Sequence, residues 1–269
     1  MKPYLAIVKM GLWQLRWFTL WWSLSLALLV VITMVVYPPF RDQAAQLNQA
    51  FSQLSGTLKA LLAGGSADFL SPIGYLSSKL FYLVLPLLFT IMSIGLGSSL
   101  LAREERSGTL ELLLARPVSR RTVLLAKITT AGVVMAVCGA VTTAVALPFV
   151  KVINFGVSMR YVTLAVFAAL LLSMLFGTLA FMLTAIGHSA RRASIGVAAL
   201  VAFGSYLIAS LEGTVHLLHW PAKLIPYHYY RPNELLTGNI FWPGLIGVLL
   251  ATILLAVAAW TGFRKRDLG

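Results

Sequence analysis

The side chains able to do chemistry in this chain are few, and they stand apart from its apolar runs. Eight Asp and Glu face 21 Lys and Arg in 269 residues. The carboxylates fall in two sets of flanks: Asp42, Asp68, Glu212 and Glu234 in one, and Glu104, Glu105, Glu111 and Asp267 in the other. Ion coupling and catalysis at membrane depth need ionisable groups within the apolar segments. Those segments carry essentially none, so any driving energy is expected from elsewhere. His216 and His219 are three apart with His228 nearby, a pattern that would suit a metal. No thiolate or carboxylate pattern supports them, and they read as interfacial histidines with no metal bound. Cys138 is the single cysteine, inside an apolar run, so it excludes an intrachain disulfide and reads as a small apolar filler. No GxxxxGK[ST] loop occurs, so the chain is expected to bind no nucleotide in the P-loop manner and no cofactor of its own.

Charge concentrates in one stretch, residues 102–127. It opens with Arg103, Glu104 and Glu105. Leu110, Leu113 and Leu114 then give an apolar face, and Glu104 and Glu111, seven apart, share another. Pro117 halts the helix and Ser119 is placed to cap the next one. The spacing predicts a short amphipathic helix lying across the inner ends of two spans.

The elements that must position this stretch are set by composition. Hydrophobic residues make up 59% and charged residues 11%, and the mean hydropathy is +0.87; a soluble fold could not hide that much apolar surface. Charge-free runs of about 20 residues match a hydrocarbon core of roughly 30 Å. Six spans are expected, at 18–37, 80–101, 123–148, 161–186, 195–211 and 241–262, giving an all-α polytopic membrane protein with a single transmembrane domain over 1–269. The first run lacks a small-residue cleavage site before Tyr37-Pro38-Pro39 and is read as a membrane helix. A net charge of +13 would otherwise suggest nucleic acid, but the basic residues lie between apolar runs without interleaved aromatics, so no nucleic-acid partner is expected.

Fourteen of the 21 basic residues fall on one side of this layout: Lys2, Lys9 and Arg16; Arg103, Arg106, Arg116, Arg120, Arg121 and Lys127; Arg191 and Arg192; Arg264, Lys265 and Arg266. Positive residues are retained in the cytoplasm, so both termini are expected there. Residues 1–17 read as an interfacial helix, with Lys2, Lys9 and Arg16 on one stripe and Leu5, Val8, Leu12 and Leu15 on an adjoining one beside Trp13.

On the opposite side, an outer segment, 38–79, carries Leu47, Phe51, Leu54, Leu58 and Leu61 at helical spacing before Gly64-Gly65. This amphipathic helix either lies on the lipid or docks an outer partner through residues 42–63. A second outer segment, 212–240, is broken by Pro221, Pro226 and Pro232 and rich in Trp and Tyr, as an interrupted interfacial structure would be. Ser93 and Gly97, four apart, offer a close helix approach and a candidate subunit interface. Ser93, Ser98, Thr142, Thr143, Ser173 and Thr178 either line a route or bond to neighbouring backbone.

The charged stretch resembles the cytoplasmic loop of ABC transporter permeases of the type 2 exporter class. Glu104, Gly108, Thr109, Leu110, Glu111, Leu113, Leu114, Pro117, Val118, Ser119, Arg120 and Lys127 carry the likeness over about 25 residues, and the six-span layout agrees with it along the whole chain. The resemblance implies that residues 102–122 are a coupling helix seated on a separate cytoplasmic ATPase, with Arg103, Glu104, Glu105, Gly108, Thr109, Leu110, Glu111, Leu113, Leu114, Pro117, Ser119 and Arg120 at that contact. It further implies ATP and magnesium on that partner, a second permease copy or paralogue, and a multi-pass place in a prokaryotic plasma membrane among its lipids. An alternative stays open: a membrane module that passes ATPase movement to an outer partner without moving a substrate.

Overall fold

The computed structural model describes residues 3–42, 49, 53–63, 71–100, 119–153, 155–187 and 191–265. Among these, every regular element is helical. Helix α1 (Pro3–Gln14) leads into α2 (Arg16–Asp42); α3 (Gly56–Ala63) and α4 (Pro72–Tyr75) follow. A π-helical stretch, Leu76–Tyr82, joins α4 to α5 (Val84–Ser99). Then come α6 (Arg120–Ile153), α7 (Met159–Ile186) and α8 (Arg191–Leu211). The segment between the fifth and sixth spans is built of a 3-10 turn, His216–Leu218, then α9 (His219–Ala222), a second 3-10 turn, Pro226–Tyr229, and α10 (Pro232–Thr237). Helix α11 (Trp242–Lys265) follows.

Six stretches are long and apolar enough to cross a bilayer: Arg16–Pro39, Pro72–Ser99, Arg121–Ile153, Met159–Ile186, Arg191–Leu211 and Trp242–Arg264. The expected spans are all present. The second starts earlier than its expected residue 80, because Ser71 caps a helix there: its Oγ accepts the Gly74 N–H at 3.0 Å, and Pro72 fills the first position. Ser77, Ser78 and Lys79 read as a polar flank in sequence, yet Ser77 and Ser78 are buried, and Ser78 satisfies its hydroxyl on the Gly74 carbonyl at 2.7 Å.

Helix α7 is the hub, packed against α5, α6, α8, α10 and α11. Within an apolar window of 18 residues, 67% of the residues are buried inside the chain in the span containing α5 and 61% in α7, against 22% in α2. Centre and periphery are thereby separated: α1 and α2 lean chiefly on α6. Small residues permit the central contact. A β-carbon on Gly97 would overlap the Gly177 carbonyl, and one on Gly177 would overlap Ser93. The Ser93–Gly97 spacing is therefore used inside one chain, between α5 and α7, where the sequence suggested a subunit interface.

Candidate functional site

In the N-terminal half of the second span the helix changes register. The π stretch ends at Tyr82, Leu83 stands between it and α5, and Pro86 follows in the first turn of α5. Proline has no N–H. The donor that would serve Tyr82 O in α register, or Phe81 O in π register, is missing, and a buried carbonyl without a donor is costly. Two tyrosines of the segment between the fifth and sixth spans supply the hydrogens. Tyr230 donates its hydroxyl to Phe81 O at 2.7 Å, and Tyr227 donates to Tyr82 O. Both rings are buried, and burial pushes both hydroxyls well above the usual tyrosine value, so they stay protonated as donors.

Around this junction the bonds form a closed set. Tyr82 Oη meets Ser210 Oγ at 2.7 Å, and Ser210 donates to Tyr206 O at 2.7 Å. Tyr227 N–H donates to Ser205 Oγ at 3.2 Å. Tyr206 donates to Leu61 O of α3 at 2.5 Å. The rings meet edge to face: Tyr227 lies 5.4 Å from Tyr206, 5.8 Å from Tyr230 and 6.2 Å from Tyr82. Beside them His228 Nδ1 is 2.6 Å from a Glu212 carboxylate oxygen, with His219 at 3.7 Å from the other. One cluster thus ties the second span, the end of α8, α3 and the segment between the fifth and sixth spans together.

The C-terminal end of the second span has its own junction. Ser99 and Leu100 close α5, Ser119 opens α6, and residues 101–118 between them lie outside the described residues. Ser119 Oγ accepts the Thr122 N–H at 3.2 Å, the expected cap. Helix α1 packs across this point: Tyr4 Oη meets Thr129 Oγ1 at 2.7 Å, and a β-carbon on Gly11 would stand 2.9 Å from Thr130. Gly11, Gln14, Ser99, Leu100, Lys127 and Thr130 line a recess of about 30 Å³ between them, with Lys127 buried in its wall. The leucine stripe expected on α1 is split: Leu12 and Leu15 face the core, while Leu5 is exposed. Lys9 and Arg16 are exposed as expected, with Arg16 stacked 4.0 Å over Trp13.

A family model described as ABC-2 family transporter protein matches residues 16–268. The chain belongs to the ABC-2 transporter family. Comparison with curated proteins gives no match. The six helices and the family together make it a transmembrane permease of an ABC transporter.

Of the residues that the sequence singles out in this ABC-2 permease, Arg103, Glu104, Glu105, Gly108, Thr109, Leu110, Glu111, Leu113, Leu114 and Pro117 fall outside the described residues. Ser119 caps α6, and Arg120 is its first helical residue. Ser98, Thr142, Thr143, Ser173 and Thr178 each donate to a carbonyl three or four residues earlier in their own helix. Ser173 also accepts from Thr90 at 3.3 Å. Their hydroxyls are spent on backbone, the second of the two readings open for them. His219 and His228 share Glu212, a carboxylate that sequence reasoning did not bring to them; among the described residues no group of three or more His, Cys, Asp or Glu is arranged to hold a metal ion. The tyrosine cluster escaped sequence reasoning because its members are scattered from Tyr82 to Tyr230. Pro86 inside a span was the available signal.

Proposed function

We propose that this permease is the membrane subunit of an ATP-driven exporter that takes its energy from a separate cytoplasmic ATPase carrying ATP and magnesium. The loop at residues 102–122 engages that ATPase, and two permease copies, or a copy and a paralogue, form the translocating unit. Both termini lie in the cytoplasm of a prokaryotic cell, in keeping with the excess of basic residues on that side of the layout.

The observation that supports this most is the continuity of the second span. It runs from the root of the charged loop at Leu100 to the tyrosine-held junction at Phe81–Leu83. A push on the loop is delivered along one helix to a place where helical hydrogen bonding is already replaced by side-chain donors, and the α5–α7 contact passes it to the hub. Packed interfaces of this kind switch between discrete states. Glu104, Glu105 and Glu111 would meet basic groups on the ATPase.

Purification of the tagged chain from native membranes in mild detergent tests the reading. A P-loop ATPase is expected to co-purify in equal amount and hydrolyse ATP, and to be lost on Glu104→Lys with Glu105→Lys. Recovery of the chain alone, with no ATPase crosslinked to the loop, refutes it. A second reading, transmission of movement to an outer partner without transport, is favoured by the Tyr206–Leu61 bond that joins α3 to the cluster. Deleting α3 separates the two, because an exporter keeps moving substrate when only partner binding is lost.

A further inference from the structure

The second outer segment carries an apolar edge that nothing else in the described chain covers. Leu217, Trp220 and Leu224 recur at three and four residues and are 82%, 75% and 83% exposed. Only Val152 matches them among the large apolar side chains described; even Leu200, on the flank of α8, is 73% exposed. The inward side of the same stretch is anchored, with Ala222 fully buried.

Four further observations say what covers this edge. Its backbone is satisfied locally, through Leu218 N to Val215 O, Lys223 N to Trp220 O, Leu224 N to Pro221 O and Ile225 N to Ala222 O, as a segment leaving water requires. Lys223 Nζ stands 5.7 Å from the Trp220 ring, the pairing of indole and cation that suits a headgroup layer. Nor does the edge carry a carboxylate, since Glu212 is turned to His228 and His219. The edge is also continuous with the exposed apolar ends of two spans. The segment leaves α8 at Leu211, the end of one span, and reaches α11 at Trp242, the start of another, where Trp242 itself is 54% exposed.

We propose that Leu217, Trp220 and Leu224 are seated in the headgroup layer of the bilayer, with Lys223 against lipid phosphate. The bilayer surface is then a third support of the outer segment, alongside α8 and the junction at Phe81–Leu83. The arrangement sets the depth at which Tyr227 and Tyr230 meet the second span. It needs the six helices to span a bilayer and is indifferent to the direction of transport, so failure of the exporter reading leaves it standing.

The test uses the full chain in nanodiscs, with Cys138→Ala as background and single cysteines at 217, 220 and 224 carrying nitroxide labels. Leu200→Cys serves as the lipid reference and Asn233→Cys as the hydrated one. Labels at 217, 220 and 224 are expected to prefer oxygen over a nickel chelate as the label at 200 does. Replacing neutral by anionic lipid should deepen the label at 224, and Lys223→Gln should abolish that shift. A second measurement spares the edge from cysteine substitution: brominated lipid should quench the wild type more strongly than Trp220→Phe. Labels as hydrated as that at 233, with equal quenching of the two proteins, would overturn the proposal. So would labels hydrated in nanodiscs but immobilised in native membranes, which would give the edge to a protein partner.

Discussion

Removing one oxygen atom at Tyr230 should loosen the second span where it matters for transmission. Tyr230 is 4% exposed and its hydroxyl reaches Phe81 O at 2.7 Å. Tyr230→Phe keeps the ring, and with it the edge-to-face contact with Tyr227 at 5.8 Å, but leaves the carbonyl without its donor. Pro86 cannot replace it. Stranding a buried acceptor costs about 1–3 kcal/mol, and at about 1.4 kcal/mol per decade this is a roughly 5- to 150-fold rise in the opening equilibrium. Hydrogen–deuterium exchange on peptides covering 80–90 in nanodiscs reads that equilibrium directly. Tyr227→Phe should act on the same peptides, since its hydroxyl serves the adjacent carbonyl, Tyr82 O. Tyr229→Phe is the control: its hydroxyl bonds to Lys223 O within the exposed part of the segment, and exchange at 80–90 should not change. Unaltered exchange in both Tyr230→Phe and Tyr227→Phe would refute the account of the junction, because the carbonyls would then be finding their hydrogens elsewhere.

Two other outcomes follow from the packing and from burial. Gly97→Ala places a methyl against the Gly177 carbonyl and should destabilise the α5–α7 contact by about 1–3 kcal/mol, seen as a lower midpoint in thermal size-exclusion assays; an unchanged midpoint would mean the helices are not as close as described. In alkaline titration, Tyr227 and Tyr230 should remain protonated where ordinary tyrosines ionise near 10.0. Their raised folded-state values give stability that is held below about pH 10 and lost as pH climbs toward those values. Tyrosinate absorbance should therefore show a late step coinciding with loss of structure, and a single step near the ordinary value would contradict it.

The spans were readable because their signal is coarse: a run of apolar residues long enough to cross hydrocarbon is visible without any knowledge of neighbours. Ser119 was readable for a similar reason, since capping is decided within four residues. Where pairing is between distant segments, sequence falls silent. Nothing around Gly97 says that its partner is Gly177 rather than a glycine of another chain. Glu212 and His228 are 16 residues apart across a stretch broken by Pro221 and Pro226, so the missing carboxylate beside the histidines could not be supplied. The start of the second span was misplaced because Ser77, Ser78 and Lys79 score as polar, although Ser78 satisfies its own hydroxyl on its helix and needs no water. The residues most legible by motif, 101–118, lie outside the described residues, so the resemblance and the structure inform different ends of the same helix.

The peripheral place of α2 bears on how the protein is made. Its main packing partner is α6, which begins at Arg120, so the first span leaves the ribosome long before its neighbour exists. Until then it must be stable as a single helix in lipid, and its side chains suit that wait. Thr19 and Thr33 donate to Leu15 O and Leu29 O, four residues earlier in the chain, at 2.9 and 2.8 Å. Ser23 is different: its hydroxyl reaches the Cys138 sulfur of α6 at 3.4 Å. That polar contact completes itself only when the third span arrives, a marker for when assembly of the bundle has begun.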